Sequence, residues 1–303
     1  MLNSVVETTA TPHVDDLIEA PIKTRGYWQT VGYRLQYDYL TLSFGAIVLL
    51  IILSALFAPL LAPHDPYQTS LIYRLKPFGY KGFILGTDEL GRDMLSRLLY
   101  GGRISLTMGI VPVLMATCIG GMLGIVAGYA GGATNMAIMR TMDVFYAFPS
   151  ILLAVAISGA MGGGLVNGMV SLSLIFIPPL CRVAETATTQ VRNLDFVEAA
   201  RASGAKAFSI IRHHILGNVL GPVFIYASSL VSVSIIIAAG LSFLGLGVSP
   251  PIPDWGLMLN TLRQAIYIDP SLAALPGALI FVTSICFNLL SDGLRTAMDV
   301  RIS

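Results

Sequence analysis

Apolar residues along this chain gather into six long runs, at roughly 39–61, 104–128, 142–162, 165–182, 217–240 and 272–291, each near the length an α-helix needs to cross a hydrocarbon layer. Charges stay at the ends of these runs, and from Arg212 to Asp254 no Asp, Glu, Lys or Arg intervenes. No stretch shows the alternation of a membrane barrel strand, so the pattern predicts an all-α membrane bundle. Pro149 in the third run and Pro178-Pro179 near the end of the fourth are expected to kink their helices, because proline offers no N–H to the carbonyl four residues back.

The polar stretches between the runs have patterns of their own. The first 38 residues begin acidic and mixed, and they lack the basic stretch, short apolar core and cleavage site of a secretory leader, so no cleavable signal is expected. They then pass into GYWQTVGYRLQYDY, where Tyr27, Trp28, Tyr33, Tyr37 and Tyr39 suit a helix at the headgroup level, either an ordered elbow or a plain anchor. From Asp93 to Tyr100, apolar Met94, Leu95, Leu98 and Leu99 oppose Asp93, Ser96 and Arg97. That spacing predicts a short helix on the membrane surface, either simply solvated or touching a substrate-delivery protein. Residues 195–218 read DFVEAARASGAKAFSIIRHHILGN. Asp195 reads as an N-cap with Glu198 completing a capping box, Gly204 as the left-handed stop, and Ala205 to Ile215 as a second helix. Arg201, Lys206 and Arg212 hold this hairpin outside the bilayer, where it is either shaped for a groove on a soluble partner or an ordinary solvated loop.

Composition confirms the solvent and narrows the chemistry. Hydrophobic residues make up 55% of the chain and charged ones 12%, with a mean hydropathy of +0.76, as expected of an integral membrane protein. A net charge of +1 gives no field for nucleic acid. A proton or ion relay needs charges within the spans, and none is seen there, so energy for any transport must enter from outside the bilayer. The segment GTDELGRD at 86–93 has P-loop glycine spacing, but Arg92 and Asp93 replace the required Lys and hydroxyl. No catalytic or metal-ligand motif is present, so neither catalysis nor a bound cofactor is expected of this chain. Cys118, Cys181 and Cys286 each fall in apolar runs and read as small buried hydrophobes.

Within the runs, Gly120, Gly124 and Gly128 form a stripe that predicts close helix packing. Ser228, Ser229 and Ser232, with Ser234, lie on the fifth run, where their hydroxyls either line a passage or bond back to their own helix. Pro250, Pro251, Pro253 and Trp255 stiffen the loop 241–271 and suit docking of a delivery protein or closure of the mouth. Asp143, Arg182, Glu185, Asp292 and Arg295 fall at run ends, where pairing and snorkelling account for them. The Lys and Arg bias sets the topology only weakly, because Arg74, Lys76, Lys81, Arg92, Arg97 and Arg103 all lie in the first outer loop.

Glu198-Ala199-Ala200, Gly204 and the Ile215-Leu216 pair resemble the EAA motif of bacterial ABC importer permeases, with His214 and Gly217 standing where that motif has Ile and Pro. LGTDELGRDMLSRLLYGGRISL at 85–106, LSFLGLGVSPPIPDWGLML at 241–259 and FNLLSDGLRTAMDVR at 287–301 are similar to the second permease of the dipeptide, oligopeptide and nickel branch, departing at Ser291, Thr296 and Val300. The resemblance implies six transmembrane helices of the type I ABC importer permease fold with an N-terminal interfacial helix. It divides the chain into a cytoplasmic tail with that helix (1–38), a first span (39–61), a periplasmic loop (62–103), a permease core containing the coupling hairpin 195–216 (104–294) and a cytoplasmic tail (295–303). It further implies that Glu198, Ala199, Ala200, Arg201, Gly204 and Lys206 couple to an ATPase. The implied partners are a homologous permease, two ATP-binding subunits that use ATP and magnesium, a periplasmic binding protein and the bilayer of a bacterial inner membrane. The implied cargo is a short peptide, with chelated nickel, glutathione or another peptide-like solute as alternatives. A secondary transporter and a membrane scaffold are the competing classes.

Overall fold

The computed structural model describes residues 27–298; the expectations for the tail before residue 27 and for Val300 lie outside the described residues, as do the side chains of Tyr27 and Trp28. The interfacial helix α1 (Tyr27–Tyr37) leads through Asp38, whose carboxylate accepts from the Thr41 N–H at 3.2 Å, into α2 (Tyr39–Leu56). A break at Phe57 separates the short α3 (Ala58–Leu61). There follow α4 (Met94–Ala130), α5 (Gly132–Tyr146), α6 (Ser150–Met161), α7 (Leu165–Arg192), α8 (Asp195–Ala202), α9 (Ala207–Ile210), α10 (Leu216–Phe243), α11 (Trp255–Thr261) and α12 (Pro270–Met298). Among the described residues, pairing of the β type is limited to two isolated bridges in the loop after α3.

Four helices, α2, α4, α7 and α12, and the run from α9 through α10 are each long and apolar enough to cross a membrane, while α5 and α6 qualify only together, bent by 88°. That pair is one crossing. It starts beside the end of α4 and finishes where Ser158 donates to the Leu246 carbonyl at 3.0 Å and the Gly164 N–H reaches it at 3.4 Å, beyond the far end of α10. Six crossings result among the described residues, and Pro149, the residue before α6, marks the expected break. At Pro178-Pro179, by contrast, α7 continues through both prolines as a single helix.

The bundle is organised by α4 and α7, which run parallel. A Cβ on Gly120 would stand 2.6 Å from the Ile177 carbonyl oxygen, one on Gly128 2.7 Å from that of Glu185, and one on Gly124 would fall on that of Cys181. Two four-residue series, one of glycines and one of carbonyls, therefore meet backbone to backbone. The helix α10 packs against both, with Ile235 filling the space above Gly109 and the Ser234 hydroxyl donating to the Met108 carbonyl at 3.3 Å. On the other flank Gly293 of α12 makes room for Thr41 of α2, and α1 closes one end through Val31 against Ala297 and Met298. Cys181 and Cys286 are buried as expected, but Cys118 is exposed, because it lies about 200° around α4 from Gly120.

The surface helix expected at Asp93–Tyr100 does not exist as a separate element. It is the first two turns of α4, and its polar side is buried along with Met94 and Leu98: Asp93, Ser96 and Arg97 are at most 2% exposed because the loop 62–93 folds back over them. These three residues are therefore neither solvated nor free to meet another protein.

Gly124→Ala should destabilise the protein by about 1–3 kcal/mol through forced separation of α4 and α7. Gly121→Ala, whose Cβ meets open space, should be neutral or stabilising by up to about 1 kcal/mol. Thermal unfolding in detergent measures both, and equal effects would dismiss the seam as the organising contact.

Candidate functional site

At the end of the bundle where α4 and α7 terminate, α8 and α9 form the hairpin anticipated at 195–216, with differences that change its mechanics. Leu194, with extended backbone (φ −83°, ψ 147°), takes the N-cap position, and Asp195 is already helical. The expected capping box is absent because the leucine side chain has no oxygen to accept from the first turn; Asp195 and Glu198 instead place two carboxylates near the positive end of the helix. The stop is as expected. Gly204 has φ +78°, its N–H donates to the Arg201 carbonyl at 3.0 Å, and the Ala205 N–H donates to that of Ala200 at 3.1 Å. These are the paired bonds of a Schellman motif, accompanied by the contact of Ala200 and Ala205 with the core.

The hairpin has two faces. Val197 is fully buried and Ala200 half-buried, while Glu198, Ala199, Arg201, Gly204 and Lys206 are exposed. The sequence reading missed two aromatic members of the outer face, Phe208 at 73% exposure and Phe196 at 44%. Their signal was a large aromatic residue next to a polar one, Asp195 or Ser209, in a segment that the charges hold outside the bilayer.

The second arm does not end at residue 216. It continues into α10 through a single π-helical turn, Ile211–Ile215, with Ile210 and Ile215 buried on either side. The irregularity thus lies before Gly217, and α10 itself starts at Leu216 without an exit kink. The base of the hairpin is also tied to α4. Arg192 donates to the Gly128 and Tyr129 carbonyls at 3.0 and 3.3 Å, and the Arg201 guanidinium lies 5.9 Å from the centre of the Tyr129 ring. A load on this hairpin therefore reaches α10 directly and the α4–α7 seam through two arginines.

The serines of α10 sit elsewhere. Ser228, Ser229 and Ser232 each donate to the carbonyl three residues back, at 2.7–2.8 Å, and Ser228 also meets the Ser291 hydroxyl of α12 at 2.9 Å. Ser291, one of the departures from the resemblance, thus joins α12 to α10. Of the run-end charges, Arg182 pairs with Asp143 at 2.5 Å and Glu185 accepts from Asn135 at 2.6 Å.

At the opposite end, Pro250 and Pro251 are exposed, but Pro253 and Trp255 are buried. The docking surface expected of all four is corrected for the last two: Trp255, 2% exposed, plugs the space between α4 and α12 and donates through Nε1 to the Leu98 carbonyl at 2.9 Å. Asp254 caps α11 and accepts from Ser105 at 2.6 Å, and burial pushes its carboxyl above the usual range. The glycines of GTDELGRD serve close backbone approach, since a Cβ on Gly86 or Gly91, both at positive φ, would strike the carbonyls of Lys76 and Ser70. The charges of the segment form a buried network. Arg92 holds Asp88 at 2.6 Å and Glu89 at 2.8 Å, while Arg97 lies 3.1 Å from Asp88 and donates to the Pro66 and Pro251 carbonyls at 3.2 and 3.4 Å. Burial, aided by the neighbouring Asp88 charge, raises the carboxyl of Glu89.

Comparison with known proteins places this geometry in context. Residues 120–303 match the family described as binding-protein-dependent transport system inner membrane component, and residues 26–77 match the N-terminal transmembrane domain of oligopeptide transport permease C. The chain is 41% identical over 275 residues to the glutathione transport system permease protein GsiD of Pectobacterium atrosepticum, covering 91% of each chain. It is 37% identical over 296 residues to the di/tripeptide transport system permease protein DppC of Pseudomonas aeruginosa, covering 96% of each. Its fold is similar to that of a chain of the MetNI methionine ABC transporter in an inward-facing conformation, with a TM-score of 0.56 and 20% identity over 69% of this chain and 98% of that one.

Arg97→Met should cost roughly 3 kcal/mol by leaving Asp88 buried with one cation fewer, whereas Arg74→Met, on the exposed side of the same loop, should stay within about 0.5 kcal/mol. Thermal unfolding and protease nicking of 62–93 report the difference, and an undisturbed loop in Arg97→Met would show the network to be dispensable.

Proposed function

This chain belongs to the binding-protein-dependent transport system inner membrane component family, and on that premise we propose that it passes short peptides or glutathione across a bacterial inner membrane as one permease of an ATP-driven importer. As a member of that family it is a membrane subunit without catalysis of its own, and a separate subunit hydrolyses ATP. A homologous permease, two ATP-binding subunits that use ATP and magnesium, and a periplasmic binding protein complete the assembly. The observation that carries the reading is the two-faced hairpin, with an exposed outer face and an inner face continuous with three of the crossing helices.

The mechanism follows from that continuity. An ATPase groove receives Glu198, Ala199, Arg201 and Lys206, flanked by Phe196 and Phe208. Closure of the ATPase pair moves α8 and α9, and Gly204 lets the two arms turn sharply so that they move as one body. The motion reaches α10 through the π turn and α4 through Arg192 and Arg201. It alternates the bundle between openings toward the two sides. The hairpin end is then cytoplasmic, and both termini lie at that end. Pro250 and Pro251, with exposed Ile252, remain as the docking edge for the binding protein.

Gly204→Val forces a β-branched residue into the left-handed region at a cost of roughly 1–2 kcal/mol, confined to the turn because its Cβ meets open space. The variant should reach the membrane with its partner permease yet lose about tenfold in uptake per ATP hydrolysed. Assembly in proteoliposomes with radiolabelled glutathione and glycylphenylalanine measures this ratio. Unchanged coupling would remove the hairpin from the mechanism.

A further inference from the structure

A cavity of about 150 Å³ lies at the 88° bend of the third crossing, walled by Phe145, Tyr146 and Phe148 at the break, Phe176 on α7, and Tyr226 and Val233 on α10. It sits at mid-depth. Its α7 wall, Ile175 to Pro179, falls in the middle of Leu165–Arg192, and its α10 wall, Tyr226 to Ile237, in the middle of Leu216–Phe243.

One wall is a broken helix, and a second, though a continuous helix, carries two prolines. Pro178 and Pro179 have no N–H for the carbonyls of Leu174 and Ile175, and Pro149 has none for that of Phe145, which accepts from the Ala147 N–H and, at 3.4 Å, from the Phe148 N–H. Irregular backbone at membrane depth is tolerated where it is buried in protein or lines a wet cavity, and broken helices near the midplane are where transporters hold their cargo. The aromatic walls also carry hydroxyls, those of Tyr146 and Tyr226. At the rim nearer the hairpin, Arg182 lies 5.2 Å from the centre of the Tyr146 ring and pairs with Asp143.

We propose that this pocket is where the chain touches its cargo, and that it takes one side chain of a peptide-like solute between the aromatic rings. The cargo's amide N–H groups meet the freed carbonyls and tyrosine hydroxyls, and its charged ends meet Arg182 and Asp143. Lipid alone would not call for acceptors and an ion pair around an aromatic box. The α10 serines, already bonded to their own helix or to α12, are not needed for the contact. The proposal rests on the importer reading above.

The test uses the whole assembly purified with its partners, in a Cys118→Ala background, because Cys181 and Cys286 are buried. Phe148→Cys and Val233→Cys are compared with Leu50→Cys, which is 65% exposed on α2. A charged, water-soluble thiosulfonate should modify the first two roughly tenfold faster than the third in either the nucleotide-free or the vanadate-trapped state, since the cysteine thiolate attacks the reagent's sulfur and expels a sulfinate, and thiolates need water. Rates matching Leu50→Cys in both states would overturn the proposal, showing a face covered by lipid or by the second permease. Val233→Trp, which fills the pocket, should lower uptake of glycylphenylalanine relative to glycylglycine by roughly tenfold while ATP hydrolysis persists. An unchanged ratio with ATP hydrolysis intact would likewise remove the pocket from cargo contact. Loss of the ATPase partners from the unmodified protein would instead sink the importer reading, and thiol modification would still report whether the pocket is wet.

Discussion

Everything in this bundle hangs on two backbones that touch. In lipid no hydrophobic force drives one helix against another, so association must come from dispersion, weak Cα–H···O contacts and polar bonds, all of which need close approach. Gly120, Gly124 and Gly128 permit that approach by presenting no side chain to the carbonyls of Ile177, Cys181 and Glu185. Because the contact runs the length of two parallel crossings, it sets their register as well as their separation. The position of α10 against both, and of the hairpin beneath them, follows from it.

The two ends of this seam are treated differently. At the loop end, Arg97 and Arg92 gather Asp88, Glu89 and two distant carbonyls, while Asp254 and Trp255 pin the loop before α11 to α4. Such a buried network is rigid, since loss of any partner leaves an uncompensated charge. At the hairpin end the ties are a pair of arginines, one cation over one ring, and a π turn that leads into α10. A transporter driven by a soluble ATPase needs that asymmetry. On the proposed reading its mobile joints lie where the ATPase would act, and its rigid cap where a binding protein would dock.

Between the ends, the crossing that is not a single helix has the most consequence. Five crossings are continuous, whereas the third is split around Pro149, and α7 carries two prolines at the same depth. Backbone groups are thereby released near the midplane, where a solute crossing the layer most needs partners. The continuous helices form the frame, and the broken one supplies the contact.

Much of this was legible in the residues alone. Apolar runs must appear wherever a helix meets lipid, so the crossings could be counted; Gly204 needs a left-handed backbone, and the glycine stripe needs a close neighbour. These are local or one-dimensional constraints that composition and spacing carry. What only the tertiary structure decided concerns partners distant in sequence. Asp93, Ser96 and Arg97 look like the wet side of a surface helix until the preceding loop covers them, and Trp255 looks like part of a docking or mouth-closing loop until it reaches Leu98, 157 residues away. Asp195 looks like a cap until Leu194 takes the cap's backbone conformation, and the serines of α10 look like a passage lining until their hydroxyls turn to carbonyls one turn back and to Ser291. The physical reason is the same in each case. Spacing tells which residues share a face, but burial and hydrogen bonding depend on what that face meets, and that partner is chosen only when the chain has folded.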